Sequence, residues 1–159
     1  MTMPTIEEIQ NYFFLAMAKG WAAGRGGGGI LGFPGYEAYV HGDDRFRLID
    51  RWCVGEDGRS AGDTTIWYDG TPVWVMHYGG WYDKKALPFL KKVLLLAYEE
   101  RSFTGCRGPG RLDLGDYSYQ NAWEGSGFTS FKGEEKIERP GLAQCGRHTY
   151  RGMALISFS

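Results

Sequence analysis

Residues 62–82 read Gly-Asp-Thr-Thr-Ile-Trp-Tyr-Asp-Gly-Thr-Pro-Val-Trp-Val-Met-His-Tyr-Gly-Gly-Trp-Tyr, and no other stretch of the chain restricts its conformation as tightly. Two runs of β-branched and aromatic residues flank Asp69-Gly70, a dipeptide that tolerates the positive φ angles of a tight turn, so the stretch predicts a β-hairpin. Pro72 suits a position beside the turn, where a missing N–H takes nothing from the ladder. Simple pairing would put Trp67, Trp74, Met76 and Tyr78 on one face and Ile66, Tyr68, Val73, Val75 and His77 on the other. Both faces are apolar or aromatic. Such a hairpin is either covered on both sides, or is core on one side and pocket or interface on the other.

The 159 residues suit a single domain spanning 1–159, long enough for a full core without disulfides. Twenty-five Gly and 25 aromatic residues (6 Trp, 10 Tyr, 9 Phe) predict many short strands packed around rings. A net charge of −1 argues against a nucleic-acid surface, and no apolar run approaches the ~20 residues of a membrane span. Glu7 and Glu8 fall where a signal peptide would be apolar, so the expected compartment is cytoplasmic. Cys53, Cys106 and Cys145 are odd in number and form no C-x-x-C pair, which reads as reduced thiols.

In chain order, Thr5-Ile-Glu-Glu8 is a capping box opening a helix with Ile6, Ile9, Phe13, Ala16 and Met17 on one face and Lys19-Gly20 as its left-handed stop. Gly24–Gly29 satisfies G-x-G-x-x-G only formally, because it follows a helix and leads into Phe33-Pro34. It reads as a mobile or tightly turned connector, with an anion-binding or substrate-closing loop carrying Arg25 as the alternative. Residues 36–41 and 45–54 predict another hairpin, with Phe46, Leu48 and Asp50 sharing a face, and 55–62 a polar loop. A second helix covers 84–100, with Pro88 at its start; 101–115 is irregular; strands follow near 117–123, 128–137 and 148–156. The predicted fold is α+β: an antiparallel, strongly curved sheet of six or seven strands with two helices packed on it, in the order α-β-β-β-β-α-β-β-β.

The run Ile66–Gly80, with Gly115-Asp-Tyr-Ser-Tyr-Gln-Asn121 and Phe131-Lys-Gly-Glu-Glu-Lys-Ile137, resembles the bacterial family known as domain of unknown function 5680, over roughly residues 12–156. Members stand alone or follow a helix-turn-helix domain, which implies a sensing or effector role in the fused forms. The residues before 12 are too few for a helix-turn-helix domain, so direct DNA binding is not expected.

Three histidines, His41, His77 and His148, are the obvious acid–base candidates. His77 reads as a satisfied core histidine or a general base, and His148 as a surface or strand histidine; Cys145-Gly-Arg-His148 supplies only two of the ligands a metal needs. Glu134-Glu135 reads as a solvated face. Polar groups among rings are more informative: alternation aligns Tyr117, Tyr119, Asn121 and Trp123, opposite Trp74, Met76 and Tyr78 on another strand. These phenols and the amide either satisfy one another across the sheet or orient a ligand in a pocket walled by rings. The expected function is a small-molecule binding or sensing module with Trp74, Met76, Tyr78, Tyr117, Tyr119, Asn121 and Arg25 as ligand-binding residues. No catalytic residue, metal ligand or cofactor is assigned. The alternatives are an acid–base enzyme using the same pocket through His77, Glu124 or Asp116, and a protein-interaction module that forms a homodimer.

Overall fold

The computed structural model describes residues 2–141 and 143–157. The chain runs α1 (Ile6–Met17), β1 (Gly28–Ile30), β2 (Phe33–Gly42), β3 (Phe46–Val54), β4 (Arg59–Tyr68), β5 (Thr71–Tyr82), α2 (Leu87–Glu100), β6 (Arg111–Leu114), β7 (Tyr117–Gly125), β8 (Ser130–Glu138) and β9 (Gln144–Ala154). All nine strands form one open antiparallel sheet in the order β1-β2-β3-β4-β5-β9-β8-β7-β6. Two meanders, β1–β5 and β6–β9, meet at a β5–β9 seam that runs from Trp74↔Ala154 to Tyr82↔Gly146. Because β6 lies at the far edge, α2 must carry the chain across the inner face of the second meander, and there Phe89 stacks on Tyr117 at 5.2 Å.

Local chemistry sets the element ends. Thr5 Oγ1 accepts from Glu8 N at 3.2 Å while Glu8 Oε2 accepts from Thr5 N at 2.7 Å, so the capping box forms as expected. The helix then stops at Met17 with Ala18 still right-handed, and Gly20 is not a left-handed stop. A Cβ there would lie 2.9 Å from the Tyr39 ring, so its smallness serves packing. Asp69 (φ 46°) and Gly70 (φ 79°) form the two-residue turn between β4 and β5. The faces of that hairpin differ from simple pairing. Trp67 pairs with Pro72 but Ile66 pairs with Trp74, so Val73 is an extra residue in a bulge. Ile66 therefore joins Trp74, Met76 and Tyr78 on the inner face, and Trp67 turns outward with His77, which is exposed.

The expected six or seven strongly curved strands are an open sheet of nine. The additional β1 and β6 have three and four residues, too few to show alternation, and β4 starts at Arg59 inside the stretch read as loop. The glycine segment is part connector, part strand: Gly24 is left-handed (φ 89°), and Gly28 and Gly29 pair with Ala38 and Glu37.

One pairing recurs on the inner face. Gly62 opposes Tyr78, Gly80 opposes His148, Gly146 opposes Tyr82, Gly133 opposes Tyr150 and Gly152 opposes Phe131. In each case a Cβ on the glycine would come within 3 Å of the opposing ring. The rings lie down across the neighbouring strand rather than standing on their own. Gly152→Ala should therefore cost about 1–3 kcal/mol by overpacking against Phe131, whereas Gly28→Ala, with nothing within 4 Å, should be neutral or slightly stabilising. Urea unfolding midpoints of the two variants check this; a Gly152→Ala protein as stable as wild type would contradict the ring-over-glycine packing.

Candidate functional site

The inner face carries an unusual share of buried polar groups. Glu135 and Arg107 are 0% and 7% exposed and form an ion pair, with Arg107 Nε donating to Glu135 Oε1 at 3.0 Å. Tyr82 and Tyr119 also donate to the Glu135 carboxylate. Burial pushes that carboxyl up, but Arg107 and the two phenols outweigh it and hold it below its ordinary value. Arg107 arrives from the loop between α2 and β6, and β7 pins that loop. Asn121 Nδ2 donates to the carbonyls of Thr104 (2.7 Å) and Gly108 (2.8 Å), Gly108 N donates to Tyr119 Oη at 3.0 Å, and Tyr150 donates to Asn121 Oδ1.

Beside this pair lies a cavity of about 190 Å3 between the inner face of β3–β5 and β9 and the helical layer. Its walls are apolar, from Met17, Leu87, Leu90 and Leu94, and aromatic, from Trp21, Trp52, Tyr78, Tyr82 and Tyr98. Its polar groups are Asp50, Ser60, Arg107 and His148, with Lys84 exposed at one end. Asp50 is 5% exposed. Its Oδ1 accepts from Tyr78 Oη at 2.7 Å and from Thr64 Oγ1 at 3.0 Å, while Oδ2 has no donor among the described residues. Burial raises the Asp50 pKa against the pull of those two hydrogen bonds. His148, 2% exposed, has Nε2 3.1 Å from Ser60 Oγ, stacks on Tyr82 at 4.1 Å, and leaves Nδ1 buried and unpartnered. Burial, with Arg107 nearby, lowers its pKa to about 4, so the ring is neutral at physiological pH. Among the described residues no carboxylate orients Nδ1, so the Ser60–His148 pair has no third member of a hydrolytic triad there.

Of the seven residues singled out from sequence, only Tyr78 lines this cavity. Trp74 and Met76 are fully buried core, with Trp74 Nε1 donating to Phe128 O at 3.0 Å. Tyr119 and Asn121 satisfy the Glu135 and loop network. Tyr117 lies near the sheet edge with its hydroxyl on Lys85 O at 3.3 Å, and Arg25 is exposed. Two other readings change: His77 is exposed rather than core, and Glu135 is the most enclosed carboxylate among the described residues rather than part of a solvated face, while His148 lies on strand β9, one of its two expected placements, and is buried. Glu124 and Asp116 are exposed. Cys145 sits at an irregularity in the β8–β9 register with its Sγ donating to Ala143 O at 3.5 Å, whereas His148 turns to Ser60. Asp50, Ser60 and Arg107 were not assigned a role from sequence. A wider depression of about 680 Å3 on the sheet, bordered by His77, Trp123 and Arg151, holds the exposed ion pair Lys132–Glu124 at 2.9 Å.

Removing Arg107 should leave Glu135 charged and alone in the core. Arg107→Met is expected to cost about 3–5 kcal/mol in urea unfolding, and adding Glu135→Gln should restore part of it. Equal stability of the single and double variants would mean the pair is not coupled. The histidine gives a pH signature. In the unfolded chain His148 protonates near 6.5 but in the folded chain only near 4, so stability is complete above 6.5 and falls by up to ~3 kcal/mol between those values. Wild type should therefore lose more stability between pH 7.5 and 4.5 than His148→Gln does; parallel curves would show that the ring is not held neutral.

Residues 54–153, from the end of β3 to the penultimate residue of β9, match the family described as Domain of unknown function (DUF5680). No curated protein and no solved structure gives a significant match. The matched segment includes the α2–β6 loop, the ion pair and most of the cavity's polar groups, whereas Asp50 and Trp52 precede it. With well over half its length aligned, the chain belongs to the DUF5680 family.

Proposed function

We propose that the chain is a small-molecule binding or sensing module whose ligand occupies the cavity between β3–β5, β9 and α2. The observation that carries this reading is the pairing of apolar walls with a buried carboxylate that has a free oxygen, Asp50 Oδ2, in a space with room for about six waters. Open acceptor capacity in an apolar pocket is what fixes a ligand's orientation. Tyr78 is the sequence-expected residue at the site; Tyr119 and Asn121 act through the loop that holds Arg107, while Trp74 and Met76 support the floor. Among the described residues no helix is long and apolar enough to cross a membrane.

An acid–base enzyme remains the second reading, and one feature favours it: a carboxyl with a raised pKa beside a phenol inside a cavity. Asp50 would then be the acid or base, and Asp50→Asn would end turnover while a ligand still bound. An interaction module would present a flat apolar patch to its partner. The outer face carries charged pairs such as Arg51–Asp63 (2.6 Å) and Arg147–Glu134 (2.6 Å) beside a cross-strand row Val40–Ile49–Thr65–Val75–Met153, which keeps that reading as a third alternative.

A metabolite library tested by thermal shift separates these possibilities. A ligand of the cavity should raise stability by about 2.7 kcal/mol at a hundredfold excess over its Kd, and the effect should vanish in Leu94→Phe, which fills the space. Ligands that stabilise wild type and Leu94→Phe equally would place binding elsewhere and defeat the cavity reading.

A further inference from the structure

We infer that the ligand of this cavity is a small organic cation, an amine or alkylated ammonium on a compact apolar body. The inference rests on the cavity reading above and adds the charge of the occupant.

Charge balance is the first support. Arg107 and Glu135 cancel as a buried ion pair. His148 is neutral, and Lys84 is exposed to water that screens it. Asp50 remains, a carboxylate among the cavity's walls that forms no ion pair among the described residues. With Asp50 ionised the buried set carries −1; a cationic occupant brings it to zero and an anion would take it to −2. Burial by itself raises the Asp50 pKa, so an ammonium at Oδ2, which has no donor among the described residues, would join the Tyr78 and Thr64 donors on Oδ1 in holding the carboxylate ionised. Arg107 Nη1 has no acceptor among the described residues, so a hydroxyl or carbonyl oxygen on the ligand could meet it without altering this balance.

Ring placement is the second support. Trp21, Trp52, Tyr78, Tyr82 and Tyr98 surround the space. Faces of such rings attract ammonium groups by ~0.5–2 kcal/mol each when water is excluded. Two of them already hold cations of the protein itself: Lys91 Nζ lies 4.7 Å from the Trp21 ring and the Arg107 guanidinium 5.7 Å from Tyr78.

Calorimetric titration with four probes of one shape tests the idea: benzylammonium, benzyltrimethylammonium, benzyl alcohol and benzoate. At least one cation should bind tenfold or more tightly than the alcohol, with benzoate weakest. Asp50→Asn should erase that difference, and Trp52→Leu should weaken the cations severalfold. Equal or tighter binding of the alcohol or benzoate in a manner blocked by Leu94→Phe would overturn the cation assignment and leave the cavity reading intact. Cation binding that survives Asp50→Asn would overturn it as well. Should Asp50→Asn fail to fold, as judged by circular dichroism, the wild-type charge series and Trp52→Leu decide alone. If no probe binds, the cation assignment falls, and the metabolite library separately decides whether the cavity binds anything.

Discussion

Five aromatic rings lying across five opposing glycines determine how the inner face of this sheet is built. A ring that stands upright occupies the height of the helical layer, whereas a ring laid over a glycine stays close to the backbone and carries its polar end to the neighbouring strand. Tyr78, Tyr82, Tyr150 and His148 all do this near the β5–β9 seam. Their hydroxyls and ring nitrogens therefore meet at the centre of the sheet, where they reach Asp50, Glu135, Asn121 and Ser60. The high glycine and aromatic content thus reflects a single arrangement.

Polar centres in a core are stable only when every group is answered, and most are here. Glu135 receives an arginine and two phenols, and the loop carrying Arg107 is tied by Tyr119 and Asn121 of β7, of which Tyr119 also serves that carboxylate. Asp50 and His148 are less completely matched. Both border the cavity, so incomplete pairing and open volume coincide.

Features decided by short-range chemistry were legible in the sequence: the Thr5–Glu8 box, the Asp69-Gly70 turn, and the inward set of Tyr117, Tyr119 and Asn121. The bulge at Val73 was not, because an extra residue has no signature when both strand faces are apolar, and it puts Ile66 rather than Trp67 on the face of Trp74. Arg107 was hidden for another reason. It sits in a glycine- and proline-rich segment with no period, and only its long-range partners give it a place. Glu135 and His148 did leave a signal, since each alternates with apolar or glycine neighbours, Phe131-Gly133-Glu135-Ile137 and Gly146-His148-Tyr150-Gly152.

The two edges of the sheet bear on how the molecule meets other chains. A sheet that never closes offers free N–H and C=O groups along its outermost strands, which invite another chain to add itself. Here β1 is three residues long, two of them glycine, and β6 is four residues with Arg111 and Asp113 paired at 3.2 Å. An incoming strand would find only a few peptide groups to grip, and at β6 it would have to displace an ion pair. The longest strands, with the most to offer a foreign β-segment, are all interior. The fold therefore keeps a wide sheet from serving as a template for fibrous stacking without a barrel's closure.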